Sequence, residues 1–230
     1  IGYCSGPIMA GVRSVDITVY GEGGHGAQPD RTIDPVVLAS RMVVDFQTIV
    51  SRELSPLSPA VVTVGSIHGG TKHNIIPAEV KLQLTIRYYD EAVGDHIVAA
   101  LQRIGNGLAA SANLPPEKYP SLTVQDESTP PVINDAALTA RLVSALTPAF
   151  GEEKVIKVDP LMVGEDFGRY GLTLEKVPIS LMWLGSVPQE KYDTGDMPGL
   201  HTAYYYPDYS ITISTGVRGM VLNLLELFGN

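Results

Sequence analysis

Two segments alternate apolar and polar residues strictly enough to limit the fold before anything else is considered. Val15, Ile17 and Val19 interleave with Asp16, Thr18 and Tyr20, and Val80, Leu82, Leu84 and Ile86 interleave with Lys81, Gln83, Thr85 and Arg87. A period of two places alternate side chains on opposite faces of a pleated strand, so each segment is a strand with one buried face. Between them, Asp34-Pro35 reads as a cap and first helical position, and Leu38, Met42, Phe46 and Ile49 follow at helical spacing. That helix should stop near Ser55-Pro56, ahead of a β-branched strand from Ala60 to Ile67 that ends at Gly69-Gly70. A second helix over roughly 92–112 and a short strand over 121–125 complete the order β-α-β-β-α-β, the split βαβ of ferredoxin-like folds. Both helices would cover one face of an antiparallel sheet, leaving the other face, with Arg87 on it, open.

After Thr129-Pro130-Pro131 the pattern changes. A helix is predicted over 135–150, then a loop with Gly164-Glu165-Asp166-Phe167, an apolar strand over 179–184, a loop carrying His201 and a last helix over 208–228. One strong strand and two long helices are too few to complete an α/β layer, so this part reads as the end of a domain whose beginning is missing. The expected class is α+β, with 1–12 closing a first catalytic-domain segment, 13–127 forming the ferredoxin-like domain and 128–230 the C-terminal segment. A net charge of −9 without clustered Lys and Arg disfavours a nucleic-acid partner. No apolar run approaches the roughly 20 residues of a membrane span, so no membrane partner is expected either. The single Cys4 can form neither an intrachain disulfide nor a thiolate cluster and is compatible with a reducing, cytoplasmic setting. A chain that opens on Ile1 rather than Met is expected to be part of a longer protein.

His25 lies between Gly24 and Gly26, where the backbone can approach another surface closely and the imidazole could donate to a developing oxyanion. Asn74 precedes Ile75-Ile76-Pro77, a position where Asn often stabilises its own turn. Arg87 offers a fork suited to a carboxylate, His201 a ring nitrogen suited to a metal, and Glu165-Asp166 an acidic pair in a glycine-flanked loop. Taken singly, each has an ordinary structural explanation, and Glu152-Glu153 reads as a solvated loop pair.

Their joint order is more specific. Gly24-His25-Gly26-Ala27 with Pro29, Asp34-Pro35, Gly69-Gly70, Asn74-Ile75-Ile76-Pro77, Arg87, Gly164-Glu165-Asp166-Phe167, Leu184-Gly185 and Leu200-His201 resemble, over nearly the whole chain, the M20 metallopeptidases. Within them the likeness is to the amidohydrolase branch that includes hippurate, N-acyl-amino-acid and indole-acetyl-amino-acid hydrolases. The resemblance implies a homodimeric enzyme in which a ferredoxin-like lid closes over an α/β domain holding two divalent metals, whether Zn, Mn, Co or Ni. It implies that His25 reaches the partner's active site as oxyanion donor, and that Asn74 and Arg87 hold an N-acyl amino acid substrate. It further implies that Glu165 lines the pocket and that His201 ligates one metal. The Cys-Gly-His-Asp motif and paired glutamates of that family are absent, so the chain alone is expected to be inactive. The alternatives are a dipeptidase or carboxypeptidase of the same family and a non-catalytic lid module.

Overall fold

The structure, a computed structural model, describes residues 1–229. In chain order its elements are β1 (Gly2–Tyr3), β2 (Gly6–Tyr20), β3 (Gly24–His25), α1 (Pro35–Asp45), β4 (Ala60–Gly69), β5 (Ile75–Ile76), β6 (Glu79–Tyr88), α2 (Glu91–Ser111) and β7 (Ser121–Val124). There follow β8 (Val132–Asn134), α3 (Ala136–Phe150), β9 (Ile156–Lys157), β10 (Leu161–Gly164), α4 (Gln189–Thr194) and α5 (Tyr209–Phe228). Helix and sheet are mixed in the α+β manner. The chain divides into two compact units, one of Met9–Val132 with Leu161–Arg169, the other of Ile1–Ile8, Ile133–Pro160 and Tyr170–Asn230.

In the first unit β7, β2, β6 and β4 lie side by side in that order, all antiparallel to their neighbours. This is the strand order that a split βαβ produces when each helix crosses over one strand. The alternating residues decide which face is covered. Val15, Ile17 and Val19 of β2 and Val80, Leu82, Leu84 and Ile86 of β6 are buried in one cluster with Leu38, Met42 and Phe46 of α1 and Ile97, Leu101 and Leu108 of α2. The interleaved Lys81 and Gln83 are exposed, and Thr85 and Arg87 half-buried, on the opposite, open face. Asp34 caps α1, its carboxylate accepting from the Val36 N–H at 2.8 Å, and Asp90 caps α2 in the same way through Ala92 at 2.9 Å. Past α1 the chain makes a π-helical turn over Ile49–Glu53 that keeps Ile49 in the core. β10 adds to β2 in parallel, Leu161 opposite Met9 and Gly164 opposite Ala10.

In the other unit β1 pairs in parallel with β9. Asn134, buried, joins three segments: its amide donates to the Cys4 and Leu181 carbonyls, both at 2.8 Å, and its carbonyl accepts from the Leu181 N–H at 2.7 Å. The apolar stretch 179–184 was expected as a strand, and this is corrected: beyond an isolated bridge between Gly2 and Trp183 it has no ladder. The Asn134 side chain takes the place of a neighbouring strand at Leu181. The expectation on apolar runs is also corrected. α5 spans 20 residues with a mean hydropathy of 1.3 and is long and apolar enough to cross a membrane by length and composition.

Candidate functional site

β3 and β5 form a two-stranded ribbon apart from the main sheet, His25 opposite Ile75 and Gly24 opposite Ile76. The Gly26 N–H donates to the Asn74 carbonyl at 2.8 Å, so two residues far apart in sequence become neighbours on its tip. His25 and Asn74 are both exposed. One contact sets the chemistry of the ring: the Ala27 N–H donates to His25 Nδ1 at 3.1 Å. An imidazole nitrogen that accepts cannot carry the proton in the neutral ring, so the proton resides on Nε2. The ring therefore presents a donor to whatever approaches the tip.

Arg87 stands at the other end of β6. The strand begins at Glu79, beside the ribbon, where Tyr20 faces it across the ladder, and the eight steps to Arg87 cover on the order of 25 Å. Arg87 Nε donates to Thr85 Oγ1 at 3.1 Å, which fixes the plane of the guanidinium. Arg87 borders a cavity of about 350 Å³ that Thr129, Gly164, Glu165 and Asp166 also line. Among the described residues Arg87 has no ion-pair partner. Glu165 turns its Oε1 back to its own turn, accepting from the Asp166 and Phe167 N–H groups at 2.9 and 3.3 Å. The structure thus brings His25 together with Asn74, and Arg87 with Glu165. It separates the two pairs by more than one small substrate can bridge.

His201 lies in the other unit, exposed, in the loop between α4 and α5, with φ at +64°. Among the described residues no group of three or more His, Cys, Asp and Glu could hold a metal ion. One imidazole falls short of the three or four ligands such a centre takes, so these residues do not fit a dinuclear site by themselves. Sequence reasoning did not single out Thr129 or Gly164 beside Arg87. Thr129 reads only as the start of a Pro-Pro break, and its pairing with Val12 leaves no trace in local pattern.

Next to Arg87 a polar network closes the base of the sheet. Arg13 donates through Nε to Tyr88 Oη at 2.8 Å and through Nη2 to Glu91 at 2.7 Å, pairs with Asp95 at 2.7 Å, and lies 5.0 Å from the Tyr88 ring centre. Burial pushes the Tyr88 phenol up to about 12, with Arg13 pulling it down and Glu91 adding to the rise. Burial alone would lower Arg13, but Asp95 and Glu91 outweigh it and hold the guanidinium above its ordinary range.

Residues 9–112 match the family described as the peptidase dimerisation domain of M20. The N-acetyl-L-cysteine deacetylase of Bacillus subtilis is 34% identical over 190 residues, covering 81% of this chain and 42% of that protein. The N-acetyldiaminopimelate deacetylase of Lactobacillus helveticus is 31% identical over 230 residues, covering 99% and 56%. The chain spans about half the length of the curated relatives it matches. A solved structure of a dinuclear metal-binding M20 peptidase from Bacillus subtilis superposes with a TM-score of 0.72 at 20% identity, covering 98% of this chain and 52% of that one, which establishes likeness of fold.

Proposed function

Starting from a chain that belongs with the M20 peptidases through the dimerisation domain it carries over residues 9–112, we propose that it is the lid and C-terminal part of a metal-dependent amidohydrolase. The substrate class is an N-acyl amino acid, in keeping with the N-acetyl compounds named for two of its relatives. The observation that carries this reading is the Ala27 contact to His25 Nδ1, which leaves an exposed Nε2–H as a donor. During amide cleavage negative charge gathers on the former carbonyl oxygen, and a donor already aimed there costs no reorganisation when the charge appears. In this reading Asn74, on the same tip, orients the scissile amide, and Arg87 holds the substrate carboxylate.

Because His25 lies on the ribbon beside one end of β6 and Arg87 near the other end of that strand, a single copy cannot apply both to one small substrate. A homodimer in which the ribbon of one copy reaches the substrate held by the other would satisfy both. The ions of such an enzyme would activate water, and His201 is the one proposed ligand here. Among the described residues no further ligands are gathered beside it, so no step of water activation is assigned to this chain. The second reading, a lid module without chemistry, is favoured by that same shortage of ligands. The test is hydrolysis of N-acetyl-L-alanine by the full-length protein carrying this sequence, loaded in turn with Zn, Mn, Co and Ni. Amine release that chelation abolishes supports the enzyme, and none with any of these ions supports the module.

A further inference from the structure

We propose that a cavity on the open face of the sheet is a binding site for an organic ammonium group, with Asp16 as the residue that selects it. The inference deepens the function proposed above and rests on it for the substrate class, an N-acyl amino acid whose side chain ends in a primary amine. Asp16 alternates with the buried Val15 and Ile17 of β2, so it stands on the polar face, half-buried, opposite Gln83 of β6 and Thr123 of β7. Gln83 Nε2 donates to Asp16 Oδ1 at 3.3 Å, and Gln125 Nε2, just past β7, donates to Oδ2. A carboxylate cannot donate, so each amide has to turn its NH2 toward Asp16 and its carbonyl away. The two amides fix the carboxylate in place without neutralising it.

A cavity of about 570 Å³ opens over these three side chains, and Ser14, Thr85 and Glu127 also line it. No Lys, Arg or His is in its lining, so the charges of Asp16 and Glu127 meet no cation there. A carboxylate drawn partly out of water without a counter-charge costs stability, and a cation that enters relieves the cost. Gly65 shapes the edge of the cavity. β4 slips register against β6 between Val64 and Ser66, the mark of a bulge, and a Cβ at Gly65 would find nothing closer than the Gln83 carbonyl at 3.9 Å. The lining says which cation. Calcium takes about six to eight oxygens, whereas the described residues gather no group of three or more His, Cys, Asp and Glu. A guanidinium pairs best with two free carboxylate oxygens, and each oxygen of Asp16 already accepts from an amide. An ammonium carries its donors on one compact centre, which suits one acceptor on Asp16 and others on Glu127 or the amide carbonyls.

The test uses the full-length protein carrying this sequence, with Nα-acetyl-L-lysine and N-acetyl-L-norleucine, which has the same four-carbon stem and no ammonium. Calorimetry on chelator-treated protein measures binding. The wild type should prefer the lysine compound by about tenfold, the size of one charge-assisted contact. Asp16→Asn, equal in shape, should abolish the preference, and Glu127→Gln, at an exposed position, should lower it by about twofold to threefold. Circular dichroism establishes that each variant is folded. A wild type that does not distinguish the two compounds, or binds neither, overturns the site, as does a preference that survives in Asp16→Asn. Calcium chloride is titrated alongside, and Asp16-dependent calcium binding without a lysine preference would assign a metal site instead. Hydrolysis of N-acetyl-L-norleucine by the metal-loaded protein reports on the amidohydrolase reading alone. Equal kcat/KM for both compounds sinks the ammonium site and leaves that reading standing, whereas an Asp16-dependent preference in binding without turnover of either compound does the reverse.

Discussion

His25 has its proton placed by a backbone N–H that occupies the other ring nitrogen, and the consequence is kinetic. If the protein hydrolyses amides as proposed, His25→Ala in the full-length protein should lower kcat by on the order of 10²–10³ with little change in KM, as loss of one preorganised donor does. Steady-state hydrolysis of N-acetyl-L-alanine measures it, and a change in KM alone would assign the ring to binding. Tyr88 makes a second prediction. Its folded phenol titrates near 12, whereas an unfolded one titrates near 10. Between those values the unfolded state has released a proton that the folded state still holds, so stability is flat below about pH 10 and falls as the pH rises toward 12. Thermal melts across that range should show the fall, phenolate absorbance should show a late step, and Tyr88→Phe should remove both. Neither property is legible from residue type. His25 reads as any turn histidine until Ala27 folds back on it, and Tyr88 as any core aromatic until Arg13 and Glu91 arrive.

At the scale of elements, close approach of α2 to β6 depends on Gly94, whose added Cβ would fall 2.7 Å from the Tyr88 ring. That ring is held by Arg13 and cannot swing aside, so Gly94→Ala should destabilise the fold by roughly 1–3 kcal/mol through overpacking, read as a lower urea midpoint. The long elements could be foreseen because their periods are strong. The alternation around Val15 and Val80 and the stripe Leu38, Met42, Phe46 gave strands, helix and buried face together. The misses have physical causes. The run 179–184 is as apolar as a strand, but hydrophobicity cannot say whether a backbone will be met by another strand or by a side chain such as Asn134. β8, β9 and β10 are too short to show a period. β2 begins at Gly6, ahead of the alternation that announced it, because Met9 and Ala10 are buried and carry no polar alternates. The proximity of His25 to Asn74, and of Arg87 to Thr129, comes from pairings across long sequence separations that no local pattern encodes.

For the whole molecule, the dimerisation domain leads to the expectation that sedimentation equilibrium at micromolar concentration gives twice the chain mass of 24.6 kDa. A monomer across the concentration range would remove the cross-subunit role of His25. The shortage of ligands leads to another: the 230-residue chain on its own, incubated with Zn, Mn, Co or Ni, should release no amine from N-acetyl-L-alanine, and turnover by it would overturn the assignment. The order of the chain has its own consequence. The unit holding β6 is almost continuous, whereas the other draws on Ile1–Ile8, 133–160 and Tyr170 onward, with the Ile1 carbonyl bonded to the Ile156 N–H and Cys4 to Asn134. A ribosome releases these pieces at widely separated times. Residues 1–8 therefore wait, without these partners, while residues 9–132 are made, and a slow codon after position 132 would lengthen the time in which a holdase can seize them.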